Sequence, residues 1–146
     1  MALTRDEAWE AYVKDFEIEV PEERVEEELN LIIMDLKHRM QYAALTGEGY
    51  HPFPQMEIEQ QQEELRQTAY NEVKGELVMQ RLLYEHEFAV TREELEAEGA
   101  ALAERQGTTI EQVKSFLGSD LALLERDLRE AKAMDWVFEQ AQGRQV

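Results

Sequence analysis

Met56-Glu-Ile-Glu-Gln-Gln-Gln-Glu-Glu-Leu-Arg-Gln-Thr-Ala-Tyr-Asn-Glu-Val-Lys-Gly-Glu-Leu-Val-Met-Gln-Arg-Leu-Leu-Tyr-Glu-His-Glu-Phe88 decides the fold. No proline interrupts it, and its one glycine is Gly75. Apolar residues recur at Ile58, Leu65, Ala69, Val73, Leu77 and then Leu82 or Leu83, the spacing of one helix face. A helix over Met56–Phe88 would run about 45–50 Å at roughly 1.5 Å per residue. A compact domain of this size has a radius of gyration of only about 14–15 Å. The stretch therefore predicts an all-α, elongated multi-helix domain with long helical arms.

The flanking sequence continues the helical pattern. Thr4 and Glu7 form a capping box ahead of a short helix over about Arg5–Lys14. Phe16-Glu-Ile-Glu-Val20 alternates apolar and acidic residues, as a short extended segment does. Pro21 suits the first turn of a second helix, about Glu22–Leu45. Val25, Leu29, Ile32, Leu36, Met40 and Ala43 form its stripe, and Leu31, Met34, Tyr42 and Leu45 widen it beyond a single seam. Two glycines and two prolines in Thr46–Pro54 exclude a helix interior and predict a turn, made unusually aromatic by Tyr50 and Phe53.

Beyond Phe88, Thr91 and Glu94 form another capping box, for a helix ending at the C′ glycine Gly107. Thr109 and Gln112 start a shorter helix that Gly118 stops. Ser119 or Asp120 caps the last one, about Leu121–Ala141, with the stripe Leu121, Leu124, Leu128, Ala131 and Phe138. Residues 1–20 read as a short helix and an extended segment, and residues 21–146 as the helical domain.

Composition narrows the function. Apolar residues are 43% and charged residues 33% of the 146, a globular balance with a heavily solvated surface. The net charge of -18 repels phosphate backbones, which argues against a nucleic-acid partner, and it attracts basic ones. Cysteine is absent, so disulfides, thiolate nucleophiles and Cys-based zinc sites are excluded. No apolar run approaches a membrane span, and the N-terminus shows no secretory h-region, so a cytoplasmic location is expected.

The C-terminal half carries a recognisable order of motifs. Val73–Phe88 is a leucine-rich helix end. It is followed by the short apolar link Ala89-Val90, the helix start Thr91-Arg-Glu-Glu-Leu95, then Leu102–Gly107 and Ile110–Val113, and a final helix over Leu124–Ala141. Upstream, Phe16–Val25 fits the entry segment. In this order and spacing, about residues 16–142 resemble the C-terminal domain of trigger factor, the ribosome-associated bacterial chaperone family. The resemblance implies an ATP-independent holdase that binds unfolded or partly folded, nascent-like chains through apolar patches in a cradle between helical arms. The family's ribosome-docking Gly-Phe-Arg-x-Gly type loop is missing, and there is no room for its peptidyl-prolyl isomerase domain. Neither of those activities is therefore expected.

Catalytic chemistry finds little support. Asp35-x-x-His38 has a helical metal-ligand spacing, but the further ligands a helical metal site needs have no counterpart. Glu85-His86-Glu87 reads as a solvated helix end. Phosphate loops and nucleophile elbows are absent. No enzyme activity, cofactor or metal is expected. Methionine suits a surface that accepts many shapes. Met34, Tyr42, Tyr50, Phe53, Met56 and Met79 flank the central turn or lie off the main stripe, and they are the candidate client contacts. The alternative is that the same apolar surface is buried in a homodimeric assembly module.

Overall fold

The computed structural model describes residues 3–47, 53–118 and 121–144. These form α1 (Arg5–Asp15), α2 (Glu22–Thr46), α3 (Pro54–Gln60), α4 (Gln62–Glu85), α5 (Arg92–Gln106), α6 (Ile110–Leu117) and α7 (Ala122–Arg144), with no strand among them. The domain is all-α.

Local chemistry sets most boundaries. The Glu7 amide donates to Thr4 Oγ1 at 3.1 Å, and the Thr4 amide donates to Glu7 Oε1 at 3.2 Å. Thr91 and Glu94 repeat this reciprocal box at the start of α5. The Thr109 hydroxyl accepts from the Gln112 amide at 3.3 Å and starts α6. α2 and α5 close on Gly47 (φ 76°) and Gly107 (φ 66°), in the left-handed region where a Cβ is penalised. Pro21 sits one position earlier than expected, as the N-cap of α2, with its carbonyl accepting from Arg24 and Val25.

The single long helix expected over Met56–Phe88 is in fact two, α3 and α4, separated by a turn at Gln61. The Gln61 amide reaches the carbonyls of both Glu57 and Ile58, a local tightening of the helical ladder. Between Ile58 and Leu65 every residue is polar, so no burial holds a straight path there. At the other end α4 stops at Glu85, three residues before Phe88.

Two compact units emerge from the packing. One comprises Val13–Val78. Its core sets Val25 and Leu29 of α2 against Ala69 of α4, with Val20, Ile32, Ile33 and Leu65 around them. Ala69 is fully buried, and its small side chain lets the two helices approach. Polar rungs line the same seam. Arg24 bridges to Glu76 at 2.9 Å, Glu26 to Arg66, and Glu28 shares a hydrogen bond with Glu72. Exposed ion pairs contribute about 0–1 kcal/mol each, whereas burying a leucine or valine contributes about 1.5–3 kcal/mol, so the apolar seam dominates.

The other unit comprises Met1–Tyr12 and Met79–Val146. Ala103, Val113, Leu121 and Leu124 form one core where α5, α6 and α7 meet. Gly99 packs closely there: a Cβ at that position would stand a tight 3.1 Å from Leu121 Cδ1 and an ordinary 3.5 Å from Ile110 Cδ1. Leu82, Ala133 and Val137 form a second core, covered by Trp9, Tyr12, Phe88 and Trp136.

Three further readings are corrected in this unit. His86 does not belong to a wholly solvated helix end. It is half-buried, with its ring 4.7 Å from that of Trp136, because the chain leaves α4 and folds back over α7. Leu121 is not the first helical residue of α7 but precedes it, at φ 55° and 1% exposure. Left-handed backbone at a non-glycine costs on the order of 1–3 kcal/mol, a strain its burial offsets. α7 also continues past Ala141 to Arg144, within the usual fraying of helix ends. Ser119 and Asp120, the expected caps, lie outside the described residues.

Candidate functional site

α2 is apolar on two sides. Its inner side buries Val25, Leu29 and Met40. Its outer side presents Leu31, Met34, Tyr42 and Leu45, which are 59%, 55%, 64% and 87% exposed. Their spacing keeps all four on one side of the helix, opposite the core-facing stripe. Local bonds shape the end of this surface. The Thr46 hydroxyl donates back to the Tyr42 carbonyl at 3.0 Å, and the Gly47 amide donates to the Ala43 carbonyl.

α3 carries exposed apolar residues of its own. Phe53 is its N-cap, Pro54 follows in the first turn, and Ile58 is buried and anchors the helix. With Ile58 held inward, Phe53 and Met56 stand 64% and 54% exposed. Between the two helices runs an open groove of about 510 Å³, lined by Met40, Gln41, Ala44, Phe53, Met56 and Ile58 among others. From Leu29 to Met56 the sequence carries two acidic residues, Asp35 and Glu48, against two basic ones, Lys37 and Arg39, in a chain of net charge -18. The apolar face thus lies in a charge-balanced stretch, where little charge must be desolvated to cover it.

The sequence-derived candidates separate by position. Met34, Tyr42, Phe53 and Met56 all lie in the Val13–Val78 unit and are exposed. Met79 lies in the other unit, half-buried against the Leu82, Ala133 and Val137 core. Tyr50 lies outside the described residues. Leu31 and Leu45 belong to the exposed face although their pattern reads as a widening of the buried stripe. The second unit has its own exposed apolar feature, a groove of about 310 Å³ bordered by Leu102, Val113, Leu117 and the 88% exposed Phe116. The one sequence signal for it is a phenylalanine two residues before the stop at Gly118.

Several charged groups are held in pairs. Asp35, half of the Asp35-x-x-His38 spacing, accepts from Arg39 Nε at 2.9 Å. Among the described residues no three His, Asp or Glu side chains are placed to hold a metal ion. The Glu94 carboxyl is held below the usual range by its hydrogen bond to Lys132, aided by the Thr91 amide. The Glu72 carboxyl is pushed up by its hydrogen bond to Glu28, with burial and repulsion from Glu28 and Glu76 adding to it. No helix among the described residues is long and apolar enough to cross a membrane.

Fold and surface together define an all-helical domain that keeps a large apolar face in solvent. The chain belongs to the trigger factor C-terminal family: residues 1–139 match the family described as "Bacterial trigger factor protein (TF) C-terminus". Among curated proteins it is similar to the trigger factors of Bacillus cereus, Bacillus thuringiensis and Bacillus anthracis, each 31% identical over 137 residues. The match covers 94% of this chain and 32% of each relative, so the chain spans about a third of their length. No solved structure matches.

Proposed function

We propose that this domain is an ATP-independent holdase, binding unfolded or partly folded polypeptides through the apolar face of α2 and α3. The observation that carries this reading is the outward set Leu31, Met34, Tyr42, Leu45, Phe53 and Met56, each more than half exposed on one unit. Large apolar side chains left exposed in number on one unit favour an interaction site. Family membership favours a polypeptide as the partner, since a chaperone role is what the resemblance implies. Met34 and Met56 supply unbranched, polarizable side chains that adapt to varied shapes, and Tyr42 and Phe53 supply large rigid contacts. Binding is passive. It needs no nucleotide, and weak, distributed contacts allow release. The acidic remainder of the chain keeps the loaded complex soluble and favours basic clients.

The test is an aggregation assay on reduced lysozyme, a basic client, and reduced α-lactalbumin, an acidic one, paired with mass measurement of the complexes. Slowed aggregation with a client-bound mass, stronger for lysozyme, is the expected result. A tight dimer that leaves both aggregation rates unchanged assigns the face to self-association instead.

A further inference from the structure

We propose that Met34 and Met56 form an oxidation-sensitive modification site, at which a peroxide-class oxidant turns the α2–α3 face from client-binding to non-binding. The consequence for binding rests on the holdase reading. The site itself rests on exposure and chemistry.

The chain has no cysteine, so the thioethers of its six methionines are its only oxidisable sulfur. Their environments differ sharply. Met34 and Met56 are 55% and 54% exposed, while Met40 is 8% exposed. Met79 and Met134 are half-buried, Met79 against a core of the other unit. Oxidation follows access to the sulfur. The two most accessible of these five are therefore the two that stand on the proposed binding face. Met56 and Met40 line the same groove, so a buried thioether serves as an internal reference beside an exposed one.

The reaction balances without any further partner. The peroxide O–O bond breaks, one oxygen passes to Sδ, the sulfur loses two electrons, and the peroxide is reduced to water. The product is a sulfoxide, a polar group with a strong acceptor oxygen where an apolar client segment must pack. Covering that oxygen without a donor is costly, so the face weakens. The fold is spared, because neither side chain belongs to a buried cluster. The same exposure leaves both sulfoxides within reach of methionine sulfoxide reductases, which makes the change reversible.

The experiment treats the full chain with graded hydrogen peroxide and maps sulfoxides by peptide mass. Each sample is then assayed for holding reduced α-lactalbumin. Met34 and Met56 should oxidise about tenfold faster than Met40, and the doubly oxidised protein should hold client about five- to tenfold less well. Reductase treatment should restore holding. A Met34→Leu, Met56→Leu variant, compared only with its own untreated sample, should lose none of its holding on peroxide treatment. Equal oxidation of Met40, full holding by the doubly oxidised protein, or peroxide loss in the leucine variant would each overturn the proposal. An untreated parent that never holds client overturns the holdase reading and the switch together. The oxidation order, read by mass alone, shows separately whether the modification site exists.

Discussion

Lys132 Nζ lies 2.7 Å from Glu94 Oε2 and donates to the Ala89 carbonyl at 2.6 Å, so one ammonium on α7 ties down both the link after α4 and the first turn of α5. Glu94 is also the acidic half of the Thr91 capping box. Its depressed pKa means that the unfolded chain takes up a proton there before the folded chain does. The associated stability is present above the ordinary carboxylate range and is lost as pH falls through the lowered value. Glu94→Gln keeps a side chain able to close the box but removes the charge. Its melting temperature should fall below the parent's at pH 7, and the difference should shrink as pH falls below the ordinary carboxylate range, by calorimetry across a pH series.

Glu72 has the opposite sign. Its hydrogen bond to Glu28 raises its pKa, so the folded state keeps a proton that the unfolded state has lost. Stability therefore falls as pH rises from the ordinary carboxylate range through the raised value. Glu72→Gln retains a donor to Glu28 and removes the repulsion. At pH 7 it should be more stable than the parent by about 0.5 kcal/mol, a small effect because solvent screens exposed charges. Below the ordinary carboxylate range the gain should vanish. Urea titrations across that span measure both limbs.

Gly99 lies inside α5 and Gly107 closes it, and the two fail differently when substituted. At Gly107 nothing lies within 4 Å of an added Cβ, but the φ of 66° strains any side chain. Gly107→Ala should cost about 1 kcal/mol. At Gly99 the obstacle is Leu121, itself fully buried and held at positive φ, with Ile110 behind it. Gly99→Val should cost about 2–3 kcal/mol through overpacking. Denaturant midpoints at unchanged m-value would distinguish the two magnitudes.

Leu29 and Leu31 are two residues apart on α2 and should respond oppositely to truncation. Leu29 is 1% exposed and Leu31 is 59% exposed. Leu29→Ala should lose about 3 kcal/mol of stability and retain client holding in the fraction that folds. Leu31→Ser, like Phe53→Ser, should change stability by no more than about 0.5 kcal/mol and weaken holding. Chemical denaturation alongside the aggregation assay separates fold from face. Equal holding by Leu31→Ser, Phe53→Ser and parent would remove this face from the mechanism.

The helix starts and stops that short-range chemistry decides were legible in the sequence. Thr4, Thr91 and Thr109 bond amides three residues on, and Gly47 and Gly107 adopt a backbone that other residues resist. The all-α class and the family order of motifs follow from the same local signals. Which apolar residues face water was legible only in part: Met34, Tyr42, Phe53 and Met56 are exposed as their positions suggest, whereas Met79 is half-buried and the pattern reads Leu31 and Leu45 as a widening of the buried stripe. The stripe sets Leu29 and Met40 apart from Leu31 and Met34, but whether another helix covers the second pair depends on distant packing. The stripe on α2 is wider than α3 and α4 can cover, so part of it stays in solvent, and that remainder is the candidate site. The turn at Gln61 and the seat of His86 on Trp136 were likewise decided by tertiary structure. Each depends on where distant apolar side chains find burial, a long-range property that no window of neighbouring residues contains.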